Sequence, residues 1–373
     1  MHVRGAFPNM SSLPGFPHDL SSYHSPLCST RGPHPIPFKY VHPTAPAGAA
    51  APVQDYDELI SSLPVKQTSI PIRKYQNFWF PEAHLPGIMA IRQHFNPRPD
   101  DLFLISFPKS GTTWLKALAF ATMTRTHYPL DRHPLLSLNP HDVVPFMDDL
   151  FVAGQASKLE ALPSPRILAT HMPYSLLPDS ITGSGCRIIY ICCDPKDVVV
   201  SLWHFSAKAS AAKGRECFPF DKFFEMACEG DFPYSPIWDH SLQYWKESLK
   251  RSEKVLFLKY EEMLEEPAAN VKRLAEFLGC PLSEEEEKEG VVEKIISLCS
   301  FEKLKSLDAN KKGSQGIAVF KVANASFFRK GGIGDWRNHA SPEMAQKLDG
   351  IVREKLEGSG LTILGVEEAT AED

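Results

Sequence analysis

Residues 105–114 read ISFPKSGTTW. Lys109, Ser110, Gly111, Thr112 and Thr113 pack one cation, three hydroxyls and a glycine into five consecutive positions. The apolar run before them, DLFLISFP (101–108), predicts a buried strand. TTWLKALAFATMTR (112–125), after them, has helical spacing. Strand, glycine-containing turn and helix together aim backbone N–H groups and a helix dipole at one point, which suits a phosphate-like anion. Lys109 would add a point charge there, and Thr112 and Thr113 hydroxyl donors. The stretch is not the Walker A loop, in which Lys follows the second Gly; here Lys109 precedes Gly111. No acid is placed like the Mg²⁺-binding Asp of the P-loop enzymes, so the anion is expected to be handled without a metal.

Two further stretches could do chemistry. His171, in ATHMPYSLLP (169–178), follows a predicted strand, where α/β sheets place their ligands. Its unperturbed pKa near neutrality suits a general base. RKGGIGDW (329–336) offers Arg329, which can grip an oxyanion bidentately, the charge of Lys330, and the N–H of Gly331, unobstructed by a side chain. The chain has 14 His, and most must be structural. His204, in LWHF, is the rival base; His127, His133 and His141 lie in polar, loop-like stretches and read as surface.

These residues need a scaffold. RILAT (166–170) and RIIYICCD (187–194) read as strands, the latter running into a helix over 197–210; KVLFLKYEEM (254–263) reads as a strand followed by a helix over 267–278. Strands alternating with helices imply one α/β domain, a central parallel sheet flanked by helices. SEEEEKEG (283–290) reads as a solvated helix start capped by Ser283. Cys192 and Cys193 should face opposite sides of a strand. No internal repeat is apparent.

Composition sets the limits. The 373 residues divide into a 1–54 extension, a folded domain over 55–360 and a 361–373 tail. The extension holds 10 of the 32 Pro and a single acid, Asp19, and reads as disordered. Its Ser-rich, acid-poor bias is shared by transit peptides, but it lacks a basic amphipathic helix, so a cytoplasmic location is favoured over a plastid address. A net charge of −5 and a pI of about 6.3 argue against a nucleic-acid binder, and no apolar stretch is long enough to span a membrane. None of the eight Cys forms a Cys-x-x-Cys pair, so all read as reduced thiols rather than zinc ligands.

FPKSGTTW, YICCDPKDVVVSLWHF and RKGGIGDW, in this order, resemble the signatures of cytosolic sulfotransferases, as do ATHMPYSLLP and residues 238–263, with the plant members most similar. The resemblance spans roughly 56–355 and implies 3′-phosphoadenosine 5′-phosphosulfate (PAPS) as sulfuryl donor. By it, Lys109, Ser110, Gly111, Thr112 and Thr113 hold the 5′-phosphosulfate, and Trp114 stacks on the adenine. Tyr260 also contacts the base. Ser201, Arg329, Lys330 and Gly331 bind the 3′-phosphate, and Ser300 and Phe301 form a looser nucleotide-contacting pair. His171 would take the acceptor's proton, and Lys109 would stabilise charge on the leaving bridging oxygen.

The sequence departs from the family's Y-x-x-R-[DN]-P at one position. Cys193 stands where the 3′-phosphate Arg belongs, and a neutral thiol cannot replace a guanidinium. A weakened donor site is expected. A second reading follows, a sulfotransferase-like protein that only binds a nucleotide or small molecule; the presence of both Lys109 and His171 favours the enzyme. An ATP-dependent kinase is disfavoured by the Lys–Gly order. The stretch 335–348 lacks the Thr-Val pair of the animal dimer motif, so a monomer is favoured over a homodimer. The partner is expected to be a small apolar alcohol or phenol (flavonoid, steroid or hydroxylated hormone) walled by Phe78, Trp79, Phe80, Leu85, Ile88 and the stretches 145–151 and 232–238.

Overall fold

The computed structural model describes residues 34–41, 56–316 and 321–363. Most of the 1–54 extension and of the 361–373 tail lies outside the described residues. Within the extension, Phe38–Tyr40 form a single 3₁₀ turn, with Ile36 and Phe38 packed on the core and Val41 buried.

At the centre is a four-stranded parallel sheet in the order β5-β4-β6-β7: β4 Leu102–Ser106, β5 Ile167–Thr170, β6 Arg187–Cys192 and β7 Val255–Lys259. Both faces are covered by helices, so the strands read as continuous apolar runs. Side chains still alternate. Phe103, Ile105, Leu168, Tyr190 and Phe257 enter one core, while Leu102, Leu104, Ala169, Ile189 and Leu256 enter the other. The register aligns Ile105 with Thr170 and with Tyr190, so the carboxyl ends of β4, β5 and β6 finish together. The loops after those ends carry Lys109 to Gly111, His171 and Cys193. Arg166, fully buried, ties β5 to the start of β4: its Nε donates to Asp101 Oδ1 at 2.7 Å.

A separate antiparallel sheet, β1 Val65–Gln67, β2 Pro71–Tyr75 and β3 Phe78–Pro81, flanks this body. Its hairpin turns through Gln76 and Asn77, both at positive φ, as a two-residue turn requires. A short pair, β8 Ser314–Gln315 and β9 Val322–Ala323, lies near the C-terminal third.

Three expectations change. The 254–263 run is not one strand: β7 stops at Lys259, and Tyr260–Glu265 is helical. Cys192 and Cys193 do not face opposite sides, because β6 ends at Cys192 and both enter the same core cluster. His133 is buried rather than on the surface, with Nε2 3.0 Å from Thr124 Oγ1. Ser283 caps its helix as expected, in a capping box with Glu286. The seven described cysteines are free thiols.

Candidate functional site

The turn between β4 and the helix Thr112–Thr124 is built by two left-handed residues, Lys109 at φ 69° and Gly111 at φ 102°. A Cβ at Gly111 would meet the Tyr260 ring at 2.7 Å, so only glycine lets the turn pass beneath that ring. The turn presents the first helical N–H groups to a cleft of about 380 Å³. Lys109, Gly111, Thr112, Thr113 and Trp114 line it, facing Cys193, Ser201, Tyr260, Ser300, Phe301, Arg329, Lys330 and Gly331. Every residue expected at the donor site is therefore in this wall except Ser110, which is fully buried beneath it.

The wall has the character of an anion site. Among the described residues Lys109 Nζ has no carboxylate partner; it sits 4.4 Å from the Phe205 ring centroid and 5.6 Å from that of Phe327. Burial, then the charges of Arg329 and Lys208, bring its pKa down to about 7. An anion in the cleft would reverse that shift. Ser110 Oγ and Arg329 Nε are buried without a hydrogen-bond partner, and such groups ask for a ligand. Gly331, at φ 73°, anchors the loop through its carbonyl, which accepts from Tyr260 Oη at 2.9 Å; a Cβ there would meet Phe301 at 2.3 Å. Trp114 stands edge-on to Tyr260, ring centroids 5.4 Å apart, leaving flat apolar faces for a base.

The 329–336 loop is held from below. Asp197 accepts from Gly334 N at 2.6 Å and Trp336 N at 3.0 Å. Asp335 accepts from Arg329, and from Lys330 Nζ at 2.5 Å. Burial opposes its ionisation, but hydrogen bonds from Lys330, Arg329 and Asn338 win and hold its carboxyl well below the usual range. His204, the rival base, is committed here: its Nε2 is 3.4 Å from His339 Nε2. His204, Asp335 and His339 could converge on a cation, but Arg329 and Lys330 already saturate Asp335.

Cys193 lines the cleft as a neutral thiol. Burial, then the nearby acids Glu261, Asp197 and Asp194, push its pKa well up. Glu261 beside it accepts from Asp194 N at 2.8 Å.

His171 follows β5. Asp148 fixes this corner by accepting from Thr170 Oγ1 at 2.8 Å and from His171 N at 3.1 Å; burial pushes its own carboxyl up to about 7. The ring's Nδ1 lies 2.7 Å from the Ser106 carbonyl. A carbonyl only accepts, so Nδ1 carries the proton and Nε2 is left with its lone pair. Burial is the main force lowering the pKa to about 3; Lys116, His240 and His84 add to it, and the Ser106 hydrogen bond opposes it. The imidazole is neutral at physiological pH.

A second cavity, about 210 Å³, opens on the other side of His171. Phe218, Phe223, Met226, Phe232 and Tyr234 make its apolar wall. The two cavities share Pro108, His141, Phe146, His171, Leu202, Phe205 and Phe327. The stretches 145–151 and 232–238 contribute as expected. Phe78, Trp79, Phe80, Leu85 and Ile88 do not line the cavity; they are core, and two of them position Tyr234: its N–H donates to Trp79 O at 2.5 Å and its ring meets Phe80 edge-on at 5.5 Å. The helix Phe220–Glu229 supplies the wall instead, and its strongly one-sided apolar pattern was the available signal. His141 was also missed. It lines both cavities instead of the surface, 3.2 Å from Thr113 Oγ1 and 3.0 Å from Lys116 Nζ.

The chain matches the sulfotransferase domain model over residues 99–360. It is 44% identical over 316 residues to cytosolic sulfotransferase 8 of Arabidopsis thaliana, covering 83% of this chain and 93% of that protein. To flavonol 4′-sulfotransferase of Flaveria chlorifolia it is 43% identical, covering 82% and 96%. Among solved structures, a mouse sulfotransferase complexed with PAP aligns with a TM-score of 0.60 at 28% identity, covering 77% of this chain and 95% of that one. Sequence, fold and the strand-end cleft agree: the chain belongs to the plant cytosolic sulfotransferase family and is a sulfotransferase.

Proposed function

We propose that this enzyme moves the sulfuryl group of PAPS to the hydroxyl of a small apolar acceptor bound in the second cavity. One observation carries the reading: His171, with Nδ1 committed to Ser106, stands in the wall of both cavities, so a proton can be taken at Nε2 where donor and acceptor meet. Lys109, with no carboxylate against it among the described residues, and the unpartnered Arg329 Nε fit a polyanionic donor, and the mouse relative was solved with PAP. When bound, the donor supplies an activated sulfuryl group, transferred with charge passing to the leaving oxygen.

The chain's own residues do the rest. Lys109, Thr112, Thr113 and the helix N-terminus hold the 5′ anion, and Lys109 meets the charge that develops on the bridging oxygen. Trp114 and Tyr260 hold the base; Ser201, Arg329, Lys330 and the Gly331 N–H hold the 3′-phosphate. His171 accepts the acceptor's proton. Its low basicity rises beside a bound polyanion, which favours the imidazolium. The apolar wall of Phe218, Phe223 and Phe232 keeps water from competing with the acceptor. That wall, with the flavonol-sulfating relative, favours flat phenols or steroids.

The test is direct: purified protein, PAPS, EDTA, and a panel of flavonols, hydroxysteroids and hydroxylated hormones, read by mass spectrometry for sulfated product. Sulfation of at least one class supports the reading. If none is sulfated while PAP binds, the acceptor assignment is wrong.

A further inference from the structure

Lys116 is the lysine that the donor site does not use. It lies one turn beyond Thr112–Thr113, on the buried face of the same helix, and has no exposed surface. A fully buried ammonium normally has a carboxylate against it. Here Asp149 and Asp148 act only at longer range, and no acid hydrogen-bonds the amine. Its partners are the Val144 carbonyl at 2.9 Å and His141 Nδ1 at 3.0 Å, with the Phe146 ring face 3.7 Å away. His141 Nε2 in turn lies 3.2 Å from Thr113 Oγ1. Burial pulls the amine's pKa well below its usual value, and the two aspartates oppose this.

We propose that Lys116, His141 and Thr113 form a polarised relay that aims the Thr113 hydroxyl proton at the donor's 5′ anion, with Lys116 and His141 as positioning residues. The order of donors follows from valence. The Val144 carbonyl, the Phe146 ring face and the two aspartates favour the protonated amine, and an ammonium has no lone pair, so Lys116 donates to His141 Nδ1 and forces the proton of that ring onto Nε2. Nε2–H then donates to Thr113 Oγ1, and the hydroxyl's own hydrogen is turned away from His141 into the cleft. Successive donors polarise one another in a dry environment, so the charge of Lys116 is felt at the anion without touching it. Phe146 holds the chain in place: its face receives the ammonium, and the His141 ring stacks on it at 5.6 Å and 18°. The two histidines of the junction thus carry opposite tautomers. His171 turns a lone pair toward the acceptor side, and His141 a donor toward the donor side.

This proposal rests on the PAPS reading, and its test separates the two. Wild type, Lys116→Met, Thr113→Val, Thr113→Ser and the Lys116→Met/Thr113→Val double variant would be titrated calorimetrically with adenosine 3′,5′-bisphosphate and with adenosine 3′-monophosphate. The relay acts only on the 5′ anion. Lys116→Met should therefore weaken the bisphosphate about tenfold, the loss of one charge-assisted hydrogen bond, and leave the monophosphate unchanged. Thr113→Val should show the same selective loss, Thr113→Ser should restore affinity, and the double variant should be no worse than either single one. Thr113→Val lies on the cleft wall, so it keeps the test decisive even if Lys116→Met folds poorly. Equal loss for both ligands, or losses that multiply in the double variant, would overturn the relay and make Lys116 merely structural. Failure of the wild type to bind the bisphosphate would overturn the PAPS reading, and the relay with it.

Discussion

Replacing Cys193 by Arg should tighten donor binding. Cys193 follows the last residue of β6 and lines the cleft while packing in the core cluster, so a guanidinium there must turn out of that packing along the cleft wall. A guanidinium there could reach the 3′-phosphate with charge-assisted hydrogen bonds worth about 1.5–3 kcal/mol, roughly tenfold to a hundredfold in affinity. The structure moves the expectation to the lower end. Glu261 lies beside Cys193 and is held partly against ionisation by burial. In the empty protein the new Arg would pair with that carboxylate, and the donor must compete for it. About tenfold is therefore expected, near 1.4 kcal/mol. Calorimetry with PAP would measure it, with Cys193→Leu as a bulky uncharged control and thermal unfolding to show that both variants fold. A folded Arg variant with unchanged or weaker affinity would refute the placement of Cys193 at the 3′-phosphate.

Other expectations follow from the same geometry. His171→Ala should lower turnover by about 10²–10⁴, the usual contribution of a general base, and leave PAP affinity nearly unchanged; equal losses in both would remove His171 from that role. Gly331→Ala should weaken PAP binding several-fold without lowering thermal stability much, because the new Cβ collides with Phe301 and displaces the loop rather than the core; unchanged affinity would contradict this. Stability should fall as pH drops below about 6.5. His84, His133 and His240 are held at about 4 and His171 at about 3, in each case chiefly by burial. The unfolded chain binds protons first in this range, so acid favours unfolding. Asp148, raised to about 7, and Asp101, Asp149, Asp197, Asp239 and Glu261, also raised by burial, act in the opposite sense, while His34, His141 and His204, lowered by burial, join the four. Urea midpoints at about pH 7.5 and about pH 5 would show the effect; an equal or higher midpoint at the lower pH would contradict it.

The sheet was legible because strands buried on both faces are short apolar runs, and LFLIS, ILAT and RIIYIC are nothing else. The anion turn was legible because Lys109 and Gly111 carry a local requirement that spacing displays. Longer-range facts were not. FWFP looks the same whether it lines a cavity or fills a core, and only the packing of β3 behind Tyr234 decides it. His141 sits in a polar stretch, NPHDV, that a capped single-turn helix folds inward under Thr113. No periodicity in five residues could report that. The helix after Lys259 was hidden because the apolar run VLFL leads into Tyr260 with no Gly, Pro or capping side chain at the boundary; Tyr260, the first helical residue, donates to the Gly331 carbonyl.

The central claim is a working PAPS site with a neutral thiol in its 3′-phosphate wall. The most direct measurement is a calorimetric titration of the wild-type protein with PAP, with ADP as comparison and EDTA present. The account predicts binding that clearly prefers PAP, through Arg329, Lys330 and Ser201. No binding, or equal affinity for ADP, would contradict it.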